Sequence, residues 1–256
     1  MTQNNRERLR QAQADAAKQQ RLNRIIGVGA AILVIVLIAV FVGVLMQNQS
    51  QQAVNSSSAI TPPNATSDGK AVVVSPGVAK QGAPVVELFF DYQCPVCKQF
   101  ESIYGSTLNT LAASGDIELH YRTMSFLDAS LANDASLRAG IAATCADTVG
   151  QYSAFHNEIY AEQPATEGEG YTDATLRATI PARIGITGDS LTTFQSCYDK
   201  QATKAFVTTM GDLGVQDMQT VTKQVATPTV FVNGKNLPFS GLGDPSGLLD
   251  LIKQNA

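Results

Sequence analysis

Two cysteines separated by two residues, Cys94 and Cys97, are the part of this sequence best suited to chemistry. They follow an apolar run, Val85 to Phe90, whose β-branched and aromatic residues are typical of a buried strand. Pro95 suits the first turn of a helix, where the N–H that proline lacks would have no partner. The pattern therefore predicts a strand that leads into a helix beginning at Cys94.

A helix start favours ionisation of the first cysteine. Unpaired N–H groups and the positive end of the helix dipole stabilise an anion, so the Cys94 thiol should be more acidic than a free thiol. Cys97, one turn further on, should be its buried partner. Val96 brings no charge that would add to this effect. Such a pair can form a disulfide that exchanges with the thiols of another protein.

A Cys-x-x-Cys pair can also be half of a zinc site or a plain structural disulfide. A zinc site would need a second closely spaced pair, but Cys145 and Cys197 lie far from the first pair and from each other. The two histidines, His120 and His156, have no second ligand at close spacing. We therefore expect a redox-active pair, no metal and no organic cofactor.

An uncharged apolar segment precedes the cysteines and decides the expected topology. Ile25 to Met46 contains 22 residues without a charge, enough to cross a hydrocarbon core of about 30 Å. Residues 1–24 carry six basic and two acidic side chains, so the N-terminus should stay in the cytoplasm. No small-residue cleavage pattern follows closely, which favours an uncleaved anchor over a removed leader. We expect a single-pass protein of the cell membrane.

The chain outside the predicted membrane divides into a linker and one domain. Residues 47–70 are rich in Gln, Asn, Ser and Thr and should form an extracytoplasmic tether. Residues 71–256 suffice for one domain with its own core. This outer part carries 12 basic and 20 acidic side chains, which argues against a nucleic-acid partner.

The order of predicted elements in the outer domain indicates an α/β fold with a helical insertion. A βαβ unit is predicted from strands at Ala71–Val74, Val85–Phe90 and Ile117–Arg122 and a helix from Pro95 to about Ala113. Residues of about 128–222 have helical composition without a strand signal, with helices expected at Asn133–Ala146, Ser153–Ala161, Asp173–Ile180 and Asp189–Met210. A hairpin follows, with strands at Thr229–Val232 and Leu237–Ser240 around Asn233-Gly234, and then a helix from Asp244-Pro245.

This outer domain resembles the DsbA-like thiol:disulfide oxidoreductases of the thioredoxin superfamily, of the membrane-anchored actinobacterial type. The resemblance covers about Val72 to the C-terminus and is carried by Asp91 to Glu101, Phe155 to Tyr160 and Thr227 to Gly234. It implies a thioredoxin fold in which Pro228 is a cis-proline facing the dithiol, with Thr227 before it. It also implies a quinone-linked membrane reoxidant of the DsbB or vitamin K epoxide reductase type.

One position departs from the thioredoxin pattern. Such proteins often bury a carboxylate six residues before the first cysteine, but that residue here is Leu88 and the acid is Glu87. A shift of one residue on a strand reverses the face, so either a bulge restores Glu87 or the buried acid is absent. Asp91 is a second candidate, and a plain turn residue near the helix start is an equally good interpretation of it.

The remaining two cysteines, Cys145 and Cys197, fall on two predicted helices of the insertion. Outside the membrane such a pair is usually oxidised, and closing a loop of about 50 residues would contribute roughly 4 kcal/mol. A second redox couple is the alternative, although neither cysteine has the proline and helix-start setting. We expect a structural disulfide.

The function that these patterns favour is a thiol oxidase that introduces disulfides into unfolded exported proteins with free cysteines. A disulfide reductase or isomerase would use the same residues with the opposite redox poise. A non-catalytic binding module of thioredoxin fold would not need both Cys94 and Cys97, so the presence of both argues against it.

Overall fold

The structure of the protein is a computed structural model that describes residues 59–238 and 241–256. The predicted basic tail, membrane anchor and first part of the linker, residues 1–58, lie outside the described residues. Among the residues that are described, no helix is both long enough and apolar enough to cross a membrane.

A five-stranded mixed sheet, in the order β1-β3-β2-β4-β5, lies at the centre of the domain. Its strands are β1 (Val72–Val74), β2 (Val85–Asp91), β3 (Glu118–Met124), β4 (Thr229–Val232) and β5 (Lys235–Leu237). Strand β2 pairs in parallel with β3 and antiparallel with β4, so the strand that leads to the cysteines is central.

The hairpin of β4 and β5 is tighter than the sequence predicted. Asn233 and Gly234 have φ values of 48° and 76°, as a two-residue turn of this kind requires. The turn places Lys235 opposite Val232, so β5 begins two residues before the predicted Leu237. The last two residues of that predicted strand, 239 and 240, lie outside the described residues.

The helix predicted from Pro95 to about Ala113 is interrupted by one wider turn. It consists of α1 (Pro95–Phe100), a π-helical segment (Glu101–Gly105) and α2 (Ser106–Ala113). The absence of a side chain at Gly105 leaves room for the Glu101 carboxylate, which a Cβ there would overlap. Hydrophobic periodicity does not predict a π-helical turn, because such a turn inserts only a single extra residue.

The helical insertion packs at the carboxyl ends of β2 and β3 and against both faces of the sheet. Its elements are α3 (Leu127–Leu131), α4 (Ala135–Asp147), α5 (Tyr152–Ala161), a π-helical segment (Thr175–Thr179), α6 (Ile180–Arg183), α7 (Gly188–Asp199) and α8 (Lys204–Thr222). The helix predicted over Asp189–Met210 is therefore two helices. Between them Gln201 has a φ of 49°, a left-handed conformation that ends α7 and lets α8 start in a new direction.

Alternating residues of β2 divide the core into two parts. Leu88 and Phe90 pack in the large cluster that also contains both active-site cysteines, whereas Phe89 packs with Met124, Met218 and Phe231. Met218 belongs to α8, so this helix covers the second face of the sheet. The side-chain period of two on a strand therefore decides which residues of β2 can approach the cysteines.

The folded domain begins before residue 71, its predicted start. The backbone N–H of Ile60 donates to the carbonyl oxygen of Ala202 at 2.9 Å. The backbone and side-chain amides of Asn64 donate to the two carboxylate oxygens of Asp147 at 2.8 and 2.7 Å. The polar composition of these residues predicted a tether. Composition alone does not reveal their hydrogen bonds to distant residues.

The C-terminal helix starts as predicted. The Asp244 carboxylate accepts from the backbone N–H of Ser246 at 2.8 Å, and a 3-10 turn (Pro245–Gly247) leads into α9 (Leu248–Asn255).

Candidate active site

The two cysteines of the Cys-x-x-Cys pair lie at the carboxyl end of β2, where α1 begins. Cys94 is the extended residue before the helix, with φ −74° and ψ 117°, and Pro95 is the first helical residue. The Cys94 N–H donates to the carbonyl oxygen of Asp91 at 3.1 Å and closes the turn that follows β2. Both thiols are free in this structure, and Cys94 is 7% exposed against 1% for Cys97. An incoming sulfur therefore meets Cys94 first.

The two thiols have pKa values displaced in opposite directions. A hydrogen bond from the Cys97 thiol, with help from the backbone N–H groups of Cys97 and Val96, lowers the pKa of Cys94 to about 6 although partial burial opposes the shift. Burial raises the pKa of Cys97 well above its usual value. At neutral pH the negative charge accordingly resides on Cys94, and Cys97 stays protonated and donates to it.

The loop before β4 faces the dithiol. The peptide bond between Thr227 and Pro228 is cis, and the carbonyl oxygen of Thr227 lies 3.5 Å from Cys94 Sγ as a hydrogen-bond acceptor. Thr227 and Pro228 are far from Cys94 in the sequence, and the antiparallel pairing of β4 with β2 brings them together.

Glu87 does not approach the dithiol. The pairing of β2 with β3 runs without a bulge from Val85 to Asp91, so Glu87 stays on the same face as Phe89. There its carboxylate accepts from the buried guanidinium of Arg122 at 3.0 Å. Leu88, on the face of the cysteines, is apolar, so no carboxylate takes the place that thioredoxin-like proteins often fill at this position.

Asp91 is both a turn residue and a buried carboxylate. One oxygen accepts from the Gln93 backbone N–H at 2.9 Å and from Ser136 Oγ at 2.5 Å, and the other accepts from the Leu127 N–H at 3.4 Å. The residue is 0% exposed, and burial raises its pKa to about 7 despite these hydrogen bonds. A titratable group with a pKa near neutrality therefore lies three residues before Cys94.

Comparison with known proteins agrees with this geometry. A thioredoxin family model matches residues 77–254, which is more than half of the chain. The chain belongs to the thioredoxin family, as a DsbA-like thiol-disulfide oxidoreductase.

Individual relatives of this DsbA-like protein are distant in sequence. Disulfide bond formation protein D of Bacillus subtilis is 28% identical over 176 residues, which cover 67% of this chain and 73% of that protein. MdbA, a thiol-disulfide oxidoreductase from Actinomyces oris, is 22% identical with a TM-score of 0.60, covering 75% of this chain and 91% of that one. Reduced DsbA from Mycobacterium tuberculosis is 24% identical with a TM-score of 0.56, covering 73% of this chain and 92% of that one. The two structures show that the fold is shared.

The second cysteine pair of the DsbA-like domain lies in the insertion. Cys145 on α4 and Cys197 on α7 are joined by a disulfide bond, with a Cα–Cα distance of 5.7 Å. Both are buried, and neither begins a helix.

His156 is a core residue of this DsbA-like domain. It is fully buried on α5, where Nδ1 lies 3.0 Å from the Tyr92 hydroxyl and Nε2 lies 3.2 Å from the Glu101 carboxylate. Its ring stacks on Tyr121. Within residues 59–238 and 241–256 no group of three or more His, Cys, Asp or Glu side chains could hold a metal ion.

Sequence reasoning missed the side chains that contact the active-site turn from the insertion. Backbone carbonyl oxygens of the turn that carries Cys94 accept hydrogen bonds from the side chains of Tyr160, Gln163 and Tyr171. Tyr160 was within a segment that carried the resemblance, but nothing in the local sequence distinguishes Gln163 or Tyr171 from other polar loop residues.

Proposed function

We propose that this protein is a thiol oxidase that introduces disulfide bonds into exported proteins through Cys94 and Cys97. The observation that carries the proposal is the pairing of an acidic thiol, with a pKa of about 6, and a buried protonated partner at a helix start. A stabilised Cys94 thiolate favours the reduced form of the pair, and this makes the disulfide a stronger oxidant.

The proposed reaction begins with the oxidised pair. A substrate thiolate attacks Cys94 Sγ, the bond between Cys94 and Cys97 breaks, and Cys97 leaves as a thiolate that takes up a proton. A second substrate thiolate then attacks the substrate sulfur of the mixed disulfide. Cys94 leaves as the stabilised thiolate, the substrate has lost two electrons, and the enzyme holds them as a dithiol.

Asp91 is the residue that we assign to the proton transfer with Cys97. The Asp91 backbone N–H favours the Cys97 thiolate and opposes the rise of the Cys97 pKa, and the Asp91 carboxylate is buried with a pKa of about 7. Such a group can give up a proton when Cys97 leaves and regain it at neutral pH. Glu87 is excluded from this role by its pairing with Arg122 on the other face of the sheet.

The surface around Cys94 that a substrate meets is proposed to consist of Thr227, Pro228, Pro95 and Val96. Val96 is 45% exposed beside the helix start, and Val225, two residues before Thr227, is 37% exposed. Exposed apolar side chains close in the sequence to Cys94 and to Thr227 suit an unfolded chain, because such a chain presents apolar residues next to its cysteines.

The location and the reoxidant are part of the same proposal. Residues 25–46 are proposed as a single membrane anchor, with residues 1–24 in the cytoplasm and the DsbA-like domain outside. Each cycle leaves two electrons on the dithiol, and a quinone-linked membrane protein of the DsbB or vitamin K epoxide reductase type would remove them.

The redox potential of the Cys94/Cys97 couple tests the proposal. We expect a value more oxidising than the roughly −270 mV of thioredoxin, together with oxidation of a reduced, unfolded substrate protein. A Cys97→Ser variant should accumulate mixed disulfides through Cys94, whereas Cys94→Ser should form none. A potential at or below that of thioredoxin would instead support a disulfide reductase or isomerase.

A further inference from the structure

The turn that carries Cys94 is bonded to the helical insertion through its backbone carbonyl oxygens. The Asp91 oxygen accepts from the Tyr160 hydroxyl at 3.3 Å. The Tyr92 oxygen accepts from the Tyr171 hydroxyl at 2.6 Å. The insertion therefore supplies side-chain donors to two carbonyl oxygens at the end of β2 and in the turn that follows it.

Gln163 differs from the two tyrosines because it reaches Cys94 itself. Its side-chain Nε2 donates to the Tyr92 oxygen at 2.8 Å and to the Cys94 oxygen at 3.1 Å. A glutamine amide has two N–H donors, and both are used here on carbonyls that flank the reactive thiol. Gln163 is 7% exposed, so water has little access to these bonds.

Gln163 is in turn held by α1, the helix that begins at Cys94. It lies two residues after the end of α5, and its backbone carbonyl oxygen accepts from Lys98 Nζ at 3.0 Å. Lys98 belongs to α1, one residue beyond Cys97. A side chain of α1 thus donates a hydrogen bond to the Gln163 backbone. The Gln163 side chain donates in return to the turn from which α1 starts.

We propose that Gln163 is a positioning residue of the thiol-exchange site, whose side-chain amide fixes the helix start at Cys94 by bridging the Tyr92 and Cys94 carbonyl oxygens. The inference rests on the proposed role of Cys94 as the sulfur that exchanges with substrate. It assigns to a loop of the insertion a part in setting the reactivity of a thiol that β2 and α1 carry.

Two physical effects follow from this bridge. The Cys94 carbonyl oxygen also accepts the first helical bond, from the Lys98 N–H at 3.2 Å, so fixing that carbonyl fixes the N–H groups that face the thiolate. The amide donors also withdraw partial negative charge from two oxygens close to Cys94. Both effects favour the thiolate over the thiol.

The test is the acidity of Cys94 in the reduced full-length protein, followed by thiolate absorbance near 240 nm across a pH series. Gln163→Ala should raise the pKa of Cys94 by about half a unit to one unit, the size expected for the loss of one net hydrogen bond. Gln163→Glu should raise it further, because a carboxylate would face two carbonyl oxygens and add negative charge. Tyr171→Phe should have a smaller effect, because the Tyr92 oxygen keeps its bond from Gln163.

Gln195→Ala is the matched control. Its amide also donates to a backbone carbonyl oxygen, that of Arg177 at 3.3 Å, but within the insertion. We expect the pKa of Cys94 to be unchanged in this variant. Circular dichroism and the urea midpoint establish that each variant is folded, and Gln163→Met, which keeps the volume without the donors, replaces Gln163→Ala if the alanine variant does not fold.

Two outcomes would overturn the inference. One is an unchanged Cys94 pKa in folded Gln163→Ala (or Gln163→Met) and Gln163→Glu variants. The other is an equal shift in Gln195→Ala, because any loosening of the insertion would then suffice. The wild-type redox potential is measured separately, so a reducing potential would reject the oxidase proposal and leave the Gln163 result standing.

Discussion

Ser136 Oγ and Asp91 Oδ1 lie 2.5 Å apart and join the turn before Cys94 to the first turn of α4. The same serine accepts from the Gln93 side chain at 3.0 Å, and the Asp128 carboxylate accepts from the Ser136 backbone N–H at 2.9 Å. A buried polar network therefore connects the active-site turn with the insertion. Its most consequential member is Asp91, because its charge changes near neutral pH.

Asp91 should make the domain less stable as pH rises. Burial raises its pKa to about 7 in the folded protein, whereas an unfolded aspartate has a pKa of about 3.9. Between these values the folded state binds more protons, so its contribution to stability is full below about pH 4 and is lost as pH rises through about 7. The loss amounts to at most about 4 kcal/mol.

Asp91→Asn should remove this pH dependence. Urea unfolding of the reduced wild type and the variant at pH 5 and pH 8 measures it, and the Cys94 titration contributes equally to both proteins. Asp212→Asn, an exposed carboxylate on α8, is the control and should follow the wild type. Parallel stability curves for wild type and Asp91→Asn would contradict the prediction.

Cys97 should act on Cys94 mainly through its thiol hydrogen bond, which is the largest cause of the lowered Cys94 pKa. Cys97→Ala should therefore raise the pKa of Cys94 from about 6 toward the free-thiol value of about 8.5. Cys97→Ser keeps a donor and should raise it less. The pH dependence of alkylation by iodoacetamide measures both, and an unchanged Cys94 pKa in the two variants would assign the effect to the helix backbone alone.

The Cys145–Cys197 disulfide should contribute to stability and not to exchange. Its sequence separation of 52 residues corresponds to about 4 kcal/mol in the chain-entropy model. A Cys145→Ser/Cys197→Ser variant should lose stability by up to this amount and keep its thiol-exchange rate once folded. A lower thiol-exchange rate in the folded variant would contradict this prediction and point to a second redox role.

The hydrogen bonds between Asn64 and Asp147 should stabilise the start of the domain. Asp147 is 2% exposed, so removing its partner leaves a buried carboxylate with fewer donors. Asn64→Ala should lower the free energy of unfolding by about 2 kcal/mol. Asn236→Ala, in the exposed part of β5, is the control and should change it by less than about 0.5 kcal/mol.

Protease added to intact cells should release the domain by cleavage within residues 47–58. From Ile60 onward the backbone is bonded to the folded unit, which protects it from cleavage. The released fragment should begin before residue 60 by mass spectrometry and retain thiol exchange. A domain that is protected until the cells are lysed would reject the proposed orientation.

Local patterns predicted the parts of the fold that depend on neighbouring residues. The strand–turn–helix around Cys94, the Asn233-Gly234 hairpin turn and the Asp244 cap each follow from a few adjacent side chains. Strand periodicity also predicted that Glu87 and Leu88 face opposite ways, which the unbulged register of β2 bears out.

Contacts between distant residues could not be predicted in this way. Gln163 is 71 positions from Tyr92, and Asn64 is 83 positions from Asp147. Each bond depends on the path of the helical insertion, which hydrophobic periodicity does not fix. The interruption between α7 and α8 was not predicted, because the residues on both sides of it have helical composition.

The bonds of Ile60 and Asn64 to the insertion shorten the tether that would join the domain to the proposed anchor. With the anchor proposed to end at Met46, the 12 residues 47–58 can span no more than about 40 Å, whatever their conformation. The dithiol would then search a thin layer above the membrane rather than the whole compartment. On this proposal, encounters with a membrane-embedded reoxidant would be nearly two-dimensional, and newly exported chains would be met where they emerge.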